Sequence, residues 1–255
     1  MLSYSEFGDH TPTDATPALI IVHGLYGSGR NWGVIAKRLS DSRPVITVDM
    51  RNHGQSPRAP THSYPDLADD LAQVINHLNV PVDVCGHSMG GKAAMVLALQ
   101  NPTLLRRLIV ADIAPVAYGH TQQMFIDAMR AVDLTTLSRR SDAESQLAEA
   151  GVERALQSFF TQSLDVPNKR WRLNLDVLEA EMPKIIGWPD VAGQFDGPTL
   201  FLSGGASGYV GPQHRDHIKS LFPAARFAKL PGAGHWLHAE KPRKFEAAVR
   251  VFLDA

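Results

Sequence analysis

Two hydrophobic patterns alternate along this chain. Short apolar runs rich in β-branched residues recur at Leu19-Ile20-Ile21-Val22, Val45-Ile46-Thr47-Val48, Val82 to Cys85, Leu108-Ile109-Val110, Leu200-Phe201-Leu202 and Arg226 to Leu230. Between them lie helix-forming stretches: Asn31 to Leu39, Tyr64 to Leu78, Lys92 to Gln100, His214 to Leu221 and Lys241 to Leu253. A strand with no polar face is covered on both sides. Such strands alternating with helices predict an α/β fold with a mostly parallel, doubly wound sheet.

The alternation stops between Val116 and Gly187. There the apolar spacing is helical, over Met124 to Leu137, Asp142 to Phe160 and Asp176 to Ile186. Trp171 to Leu175 alternates briefly, as a strand or an extended link does. The pattern predicts a core of residues 1–115 and 188–255, with 116–187 inserted as a helical cap.

One bend carries chemistry. Val82 to Cys85 reads as a strand and Lys92 to Gln100 as a helix, and Gly86-His87-Ser88-Met89-Gly90 joins them. This Gly-x-Ser-x-Gly spacing is that of a nucleophile elbow, in which a strained turn pushes one serine hydroxyl out of the sheet's carboxyl edge. Acyl transfer at Ser88 needs a base, an acid that orients the base, and donors for the oxyanion. Candidates stand at other strand ends, where open α/β sheets build their sites.

His235, in the glycine-rich loop Pro231-Gly232-Ala233-Gly234-His235 after the last strand, is the base candidate. His23, His53, His87 and His238 compete with it. Of these, His87 points away from the nucleophile, His23 reads as structural and His238 as a surface or packing residue. The backbone amides of Leu25, in the turn after the first run, and of Met89, directly after the serine, are the expected oxyanion pair. The acid is less plain. The loop after Leu200 to Leu202 runs Ser203-Gly204-Gly205-Ala206-Ser207-Gly208 and has no carboxylate. Asp112, at the end of the strand after the elbow helix, is favoured over Asp216 or a dyad without an acid. Ser207 is placed to support His235 or Asp112.

Composition narrows the remainder. In 255 residues the formal net charge is −1, with 44% hydrophobic and 20% charged residues, which disfavours a nucleic-acid partner. Cys85 is the single cysteine, so no intramolecular disulfide forms. The amino-terminal residues do not read as a secretory signal, and no apolar run reaches the roughly 18 residues of a membrane helix. A soluble, cytoplasmic protein with no membrane partner, metal or cofactor is the expectation; its oligomeric state is not encoded legibly.

The elbow, His23-Gly24-Leu25, Asp49 to Ser56 and Gly232-Ala233-Gly234-His235-Trp236 together resemble the α/β-hydrolase superfamily. Asp112-Ile113-Ala114-Pro115 and His235 to Pro242 look more narrowly like small bacterial carboxylesterases related to eukaryotic abhydrolase-domain esterases. The resemblance implies a Ser88–Asp112–His235 triad, Ser207 as an accessory, and hydrolysis of short- to medium-chain acyl esters or thioesters. A C–C hydrolase, a lyase or a perhydrolase would use the same triad, and a ligand receptor would keep the fold without turnover. Arg51 reads as a loop tie or a substrate-carboxylate clamp. Lys169, Arg170 and Arg172 read as a solvated face or a phosphate patch. Tyr118, Met124, Phe125, Phe159, Phe160, Trp171 and Trp188 are candidates to line an acyl pocket or fill the cap's core.

Overall fold

Seven strands form the central sheet of the protein in the computed structural model, which describes residues 1–9, 11–13 and 15–255. In chain order the elements are β1 (Tyr4–Phe7), β2 (Leu19–Val22), α1 (Gly33–Leu39), β3 (Val45–Val48), α2 (Tyr64–Leu78), β4 (Val82–His87), α3 (Met89–Gln100) and β5 (Leu105–Ala111). Next come α4 (Gln123–Ala131), α5 (Arg140–Glu149), α6 (Arg154–Thr161), β6 (Leu164–Asp165), β7 (Arg170–Trp171), α7 (Leu175–Ala180) and α8 (Met182–Ile186). The chain closes with β8 (Thr199–Gly204), α9 (Arg215–Leu221), β9 (Ala225–Leu230), α10 (Leu237–Glu240) and α11 (Pro242–Leu253). The sheet order is β1-β3-β2-β4-β5-β8-β9. All neighbours are parallel except β1, which pairs antiparallel with β3.

The continuous apolar runs are explained by burial on both faces. Leu19 and Ile21 of β2 pack with Ile35 and Leu39 of α1 and Phe245 and Val249 of α11. Their neighbours Ile20 and Val22 turn to the other side, against Leu67 and Leu71 of α2 and Ala93 and Leu97 of α3. Burying one Leu or Phe side chain contributes about 1.5–3 kcal/mol. The two layers therefore hold α1 and α11 on one face and α2 and α3 on the other.

The expected strands and core helices all form; four strands and the helix after Ser88 are a residue or more longer, while α1, α9 and α11 begin one or two residues later. Four local features depart from the sequence reading, the first being that the helix expected over Met124 to Leu137 ends at Ala131, where Val132 is extended. Strand β1 was not anticipated: it is only four residues, half of them exposed, and its partner β3 is distant in sequence. Asp142 to Phe160 is two helices, because Gly151 takes φ +80° and turns the chain between α5 and α6. Asp176 to Ile186 divides at Glu181, before Pro183 near the start of α8. Between β5 and β8 the chain runs through five helices and the short β6–β7 ribbon. Among the described residues, no helix is long and apolar enough to cross a membrane.

Candidate active site

Two glycines explain why the chain bends at Ser88. A Cβ on Gly86 would lie 2.3 Å from the Gly90 carbonyl oxygen, and one on Gly90 would lie 2.5 Å from the Val22 and His23 carbonyl oxygens. Only the bare backbone lets β4 turn into α3 this tightly. Ser88 sits at the bend with φ +52° and ψ −120°, strain of about 1–3 kcal/mol held by the packing around it.

Ser88 and Asp112 leave the sheet side by side. His87 pairs with Ala111 in the β4–β5 ladder, and each residue of interest is the next along its strand. The Ser88 amide donates to the Ala111 carbonyl at 3.0 Å, and the Asp112 amide to Leu202 at 2.9 Å. Asp112 also has positive φ, +52°, a conformation Asp tolerates better than most residues.

The Asp112 side chain is fully buried, which would be costly for an unpartnered carboxylate. It accepts from the Gly204 amide at 2.9 Å on Oδ1. On Oδ2 it accepts from Ser207 Oγ at 2.5 Å and from His235 Nδ1 at 2.7 Å. With Nδ1 donating, His235 Nε2 is the acceptor that faces Ser88 Oγ, at 3.1 Å. Tyr209 stacks on the His235 ring, with centroids 4.2 Å apart. The His235 carbonyl accepts from His87 Nε2 at 2.9 Å, so His87 braces the loop rather than the serine.

Leu25 and Met89 stand on the wall of the same cavity as Ser88 and His235. Met89 opens α3, where helix amides have no partner within the helix. Three buried histidines brace this wall, His23 lining it and His53 and His62 touching Tyr26 and Met89 from behind. His23 accepts from the Met50 amide at 3.0 Å and donates to the Gly24 carbonyl at 2.8 Å. His53 accepts from the Tyr26 amide at 3.1 Å and donates to the Arg51 carbonyl at 2.9 Å. His62 accepts from Asn52 Nδ2 and sets Nε2 3.3 Å from Met89 Sδ. Burial holds all three below the usual imidazole value, His62 at about 3. His238, stacked on Trp32 at 4.0 Å, is likewise pulled down to about 3 by burial.

The cavity has a volume of about 320 Å³. Tyr118, Phe125, Phe159 and Phe160 line it as pocket candidates, together with Tyr26, Tyr64 and Tyr209. Three other candidates lie elsewhere. Met124 is 61% exposed, the Trp171 indole is buried and donates to the Met129 carbonyl, and Trp188 packs against the core. Asp216 is exposed on the first turn of α9. Arg51 forms a fork with Asp70, at 2.6 and 3.0 Å, and does not line the cavity; it is a loop tie. Arg170 and Arg172 approach Asp165 at 3.4 and 3.5 Å, and Lys169 donates to the Leu137 carbonyl. The patch's charge is thus partly spent inside the protein.

Sequence reasoning missed Tyr209, His62 and Lys92. Lys92 read only as a helix former, yet it is 1% exposed and lines the cavity. The available signal was its position four residues after Ser88, as the one charge in the otherwise uncharged stretch from Met89 to Leu99.

Residues 17–242 match the family described as the alpha/beta hydrolase fold. The chain is 43% identical to the sn-1-specific diacylglycerol lipase ABHD11 of Mus musculus over 252 residues, covering 94% of this chain and 82% of the relative. It is 38% identical to esterase YbfF of Escherichia coli (strain K12) over 238 residues, 92% of each chain. A solved structure described as a marine microorganism esterase superposes with a TM-score of 0.92 at 36% identity, covering 98% of both chains.

Proposed function

This chain belongs to the α/β-hydrolase fold family, and from that premise we propose that it is a serine carboxylesterase acting on short- to medium-chain acyl esters or thioesters. The observation that carries the reading is the unbroken hydrogen-bonded line from Ser88 Oγ through His235 to buried Asp112, opening on one largely aromatic cavity. Relatives and a solved structure whose names are those of esterases and a lipase support it.

In the proposed reaction His235 Nε2 takes the Ser88 proton as Oγ attacks the acyl carbonyl. The Leu25 and Met89 amides receive the oxyanion, and Asp112 fixes the His235 tautomer and offsets its charge. His235 then protonates the departing alcohol or thiol. Water, activated by the same imidazole, releases the acid from the acyl-enzyme. Residues 116–187 act as a cap that shields the pocket and sets acyl preference. A 320 Å³ cavity suits acyl chains of modest length.

The test is steady-state hydrolysis of p-nitrophenyl esters from acetate to decanoate by the wild type, Ser88→Ala and Asp112→Asn. Ser88→Ala is expected to lose about 10⁴- to 10⁶-fold in kcat, and Asp112→Asn about 10³- to 10⁴-fold. Wild-type turnover that persists in Ser88→Ala overturns the proposal.

A further inference from the structure

Lys92 is the only Lys, Arg, Asp or Glu among the described residues on the wall of the Ser88 cavity. It stands one helical turn after Ser88, with its amide donating to the Ser88 carbonyl at 3.0 Å. The two side chains therefore share a face of α3, and the lean of helical side chains toward the N-terminus carries the lysine back toward the serine.

What surrounds the ammonium is neutral. Nζ donates to the Ile186 carbonyl at 3.1 Å and to the Gly187 carbonyl, at the carboxyl end of α8. It lies 4.9 Å from the Tyr118 ring centroid and 5.5 Å from that of Tyr64. Those tyrosines' hydroxyls are committed to the Tyr209 and Ile185 carbonyls. Two carbonyls engage two of the three N–H donors of a lysine. Dipoles and ring faces offset a buried charge less fully than an anion does, and burial pulls this ammonium down to about 7. An anion entering the cavity would complete the compensation.

We propose that Lys92 is a specificity-determining residue, which receives the carboxylate of an ester that carries one at the end remote from the scissile bond. This rests on the esterase reading of Ser88. The carboxylate has two possible origins with the same chemistry: the acyl side, as in a half-ester of a dicarboxylic acid, or the alcohol side, as in an ester of an ω-hydroxy acid.

The experiment compares matched pairs by pH-stat. One arm takes monoethyl half-esters of the dicarboxylic acids from malonic to suberic, each against an isostere with isopropyl in place of the carboxylate. The other arm takes acetates of ω-hydroxy acids against the same kind of isostere. In the wild type the carboxylate member of at least one arm is expected to lead by about tenfold or more in kcat/KM, the scale of a charge-assisted hydrogen bond. That arm identifies the side. Lys92→Met should collapse the ratio to about one, and Lys92→Arg should restore part of it. A purely structural tie to α8 would lower both members together and leave the ratio standing. That result, or a wild type that prefers the neutral member in both arms, overturns the proposal.

Calorimetric binding of the same pairs to Ser88→Ala separates this inference from the esterase reading. A carboxylate preference in binding supports the Lys92 site even if turnover fails. Equal binding of both members, with turnover intact, overturns only the Lys92 site.

Discussion

Ser207 donates to the same carboxylate oxygen of Asp112 that His235 engages, at 2.5 Å against 2.7 Å. Ser207 Oγ also accepts from the Tyr209 amide at 3.3 Å, and Tyr209 stacks on the His235 ring. One hydroxyl therefore helps orient both the Asp112 carboxylate and the ring stacked on His235. Ser207→Ala is expected to lower kcat about tenfold, the scale of one hydrogen bond to a charged group, with little change in KM. Steady-state kinetics beside a melting curve will check this. A kcat equal to wild type would remove Ser207 from the positioning of Asp112.

The buried histidines make the fold acid-sensitive. His62 and His238 stay neutral in the folded chain down to about pH 3, whereas an unfolded imidazole takes up its proton near 6.5. Between these values the unfolded state binds more protons at both positions, so the stability tied to these two histidines is complete above about pH 6.5 and is lost as the pH falls toward 3. The slope is about 1.4 kcal/mol per pH unit for each such group. Urea unfolding at several pH values across that window should show it, and His238→Phe should flatten it by about one group. A stability that is level between pH 6.5 and 4 contradicts the assignment.

Gly86→Ala would place a methyl group 2.3 Å from the Gly90 carbonyl oxygen and 2.7 Å from the Gly91 Cα. Both are backbone atoms and cannot swing aside. The elbow has to open, at a cost of about 3 kcal/mol, which in a chain of this size lowers Tm by roughly 6–12 °C. Activity should fall further than stability, because Ser88 moves with the turn. Scanning calorimetry with parallel kinetics resolves the two effects.

Arg51 ties the loop after β3 to α2 through a two-pronged contact with Asp70. Arg51→Lys keeps the charge and loses the fork. The expected result is a loss of about 1–2 kcal/mol in unfolding free energy with KM unchanged for neutral and carboxylate-bearing esters alike. A KM that rises only for the carboxylate-bearing members would return Arg51 to the substrate.

The sheet was legible in the sequence because strand segments buried on both faces run apolar without interruption, as Leu19 to Val22 and Leu108 to Val110 show. Ser88 and His235 were legible because their loops need glycine, and glycine spacing survives translation into sequence. The helix breaks at Gly151 and Glu181 were not. Apolar spacing carries on across a break of one to four residues, and periodicity records a face rather than an end. Strand β1 is defined by its ladder to Val45–Val48, a long-range partnership with no local mark. Lys92 was overlooked for a different reason: lysine forms helices well, so its propensity concealed the cost of its burial.

The rung shared by His87 and Ala111 fixes where disorder can enter the site. Ser88 and Asp112 extend neighbouring strands in the middle of the sheet, so their separation changes only if that ladder breaks. His235 arrives on a loop after the edge strand β9, tied by the His87–His235 and Gly234–Glu240 contacts. Local opening confined to residues 231–241 would unseat His235 while hydrogen exchange in β4 and β5 remained slow. On warming, activity would then vanish before the sheet melts, and the interval between the two events would measure the grip on that one loop.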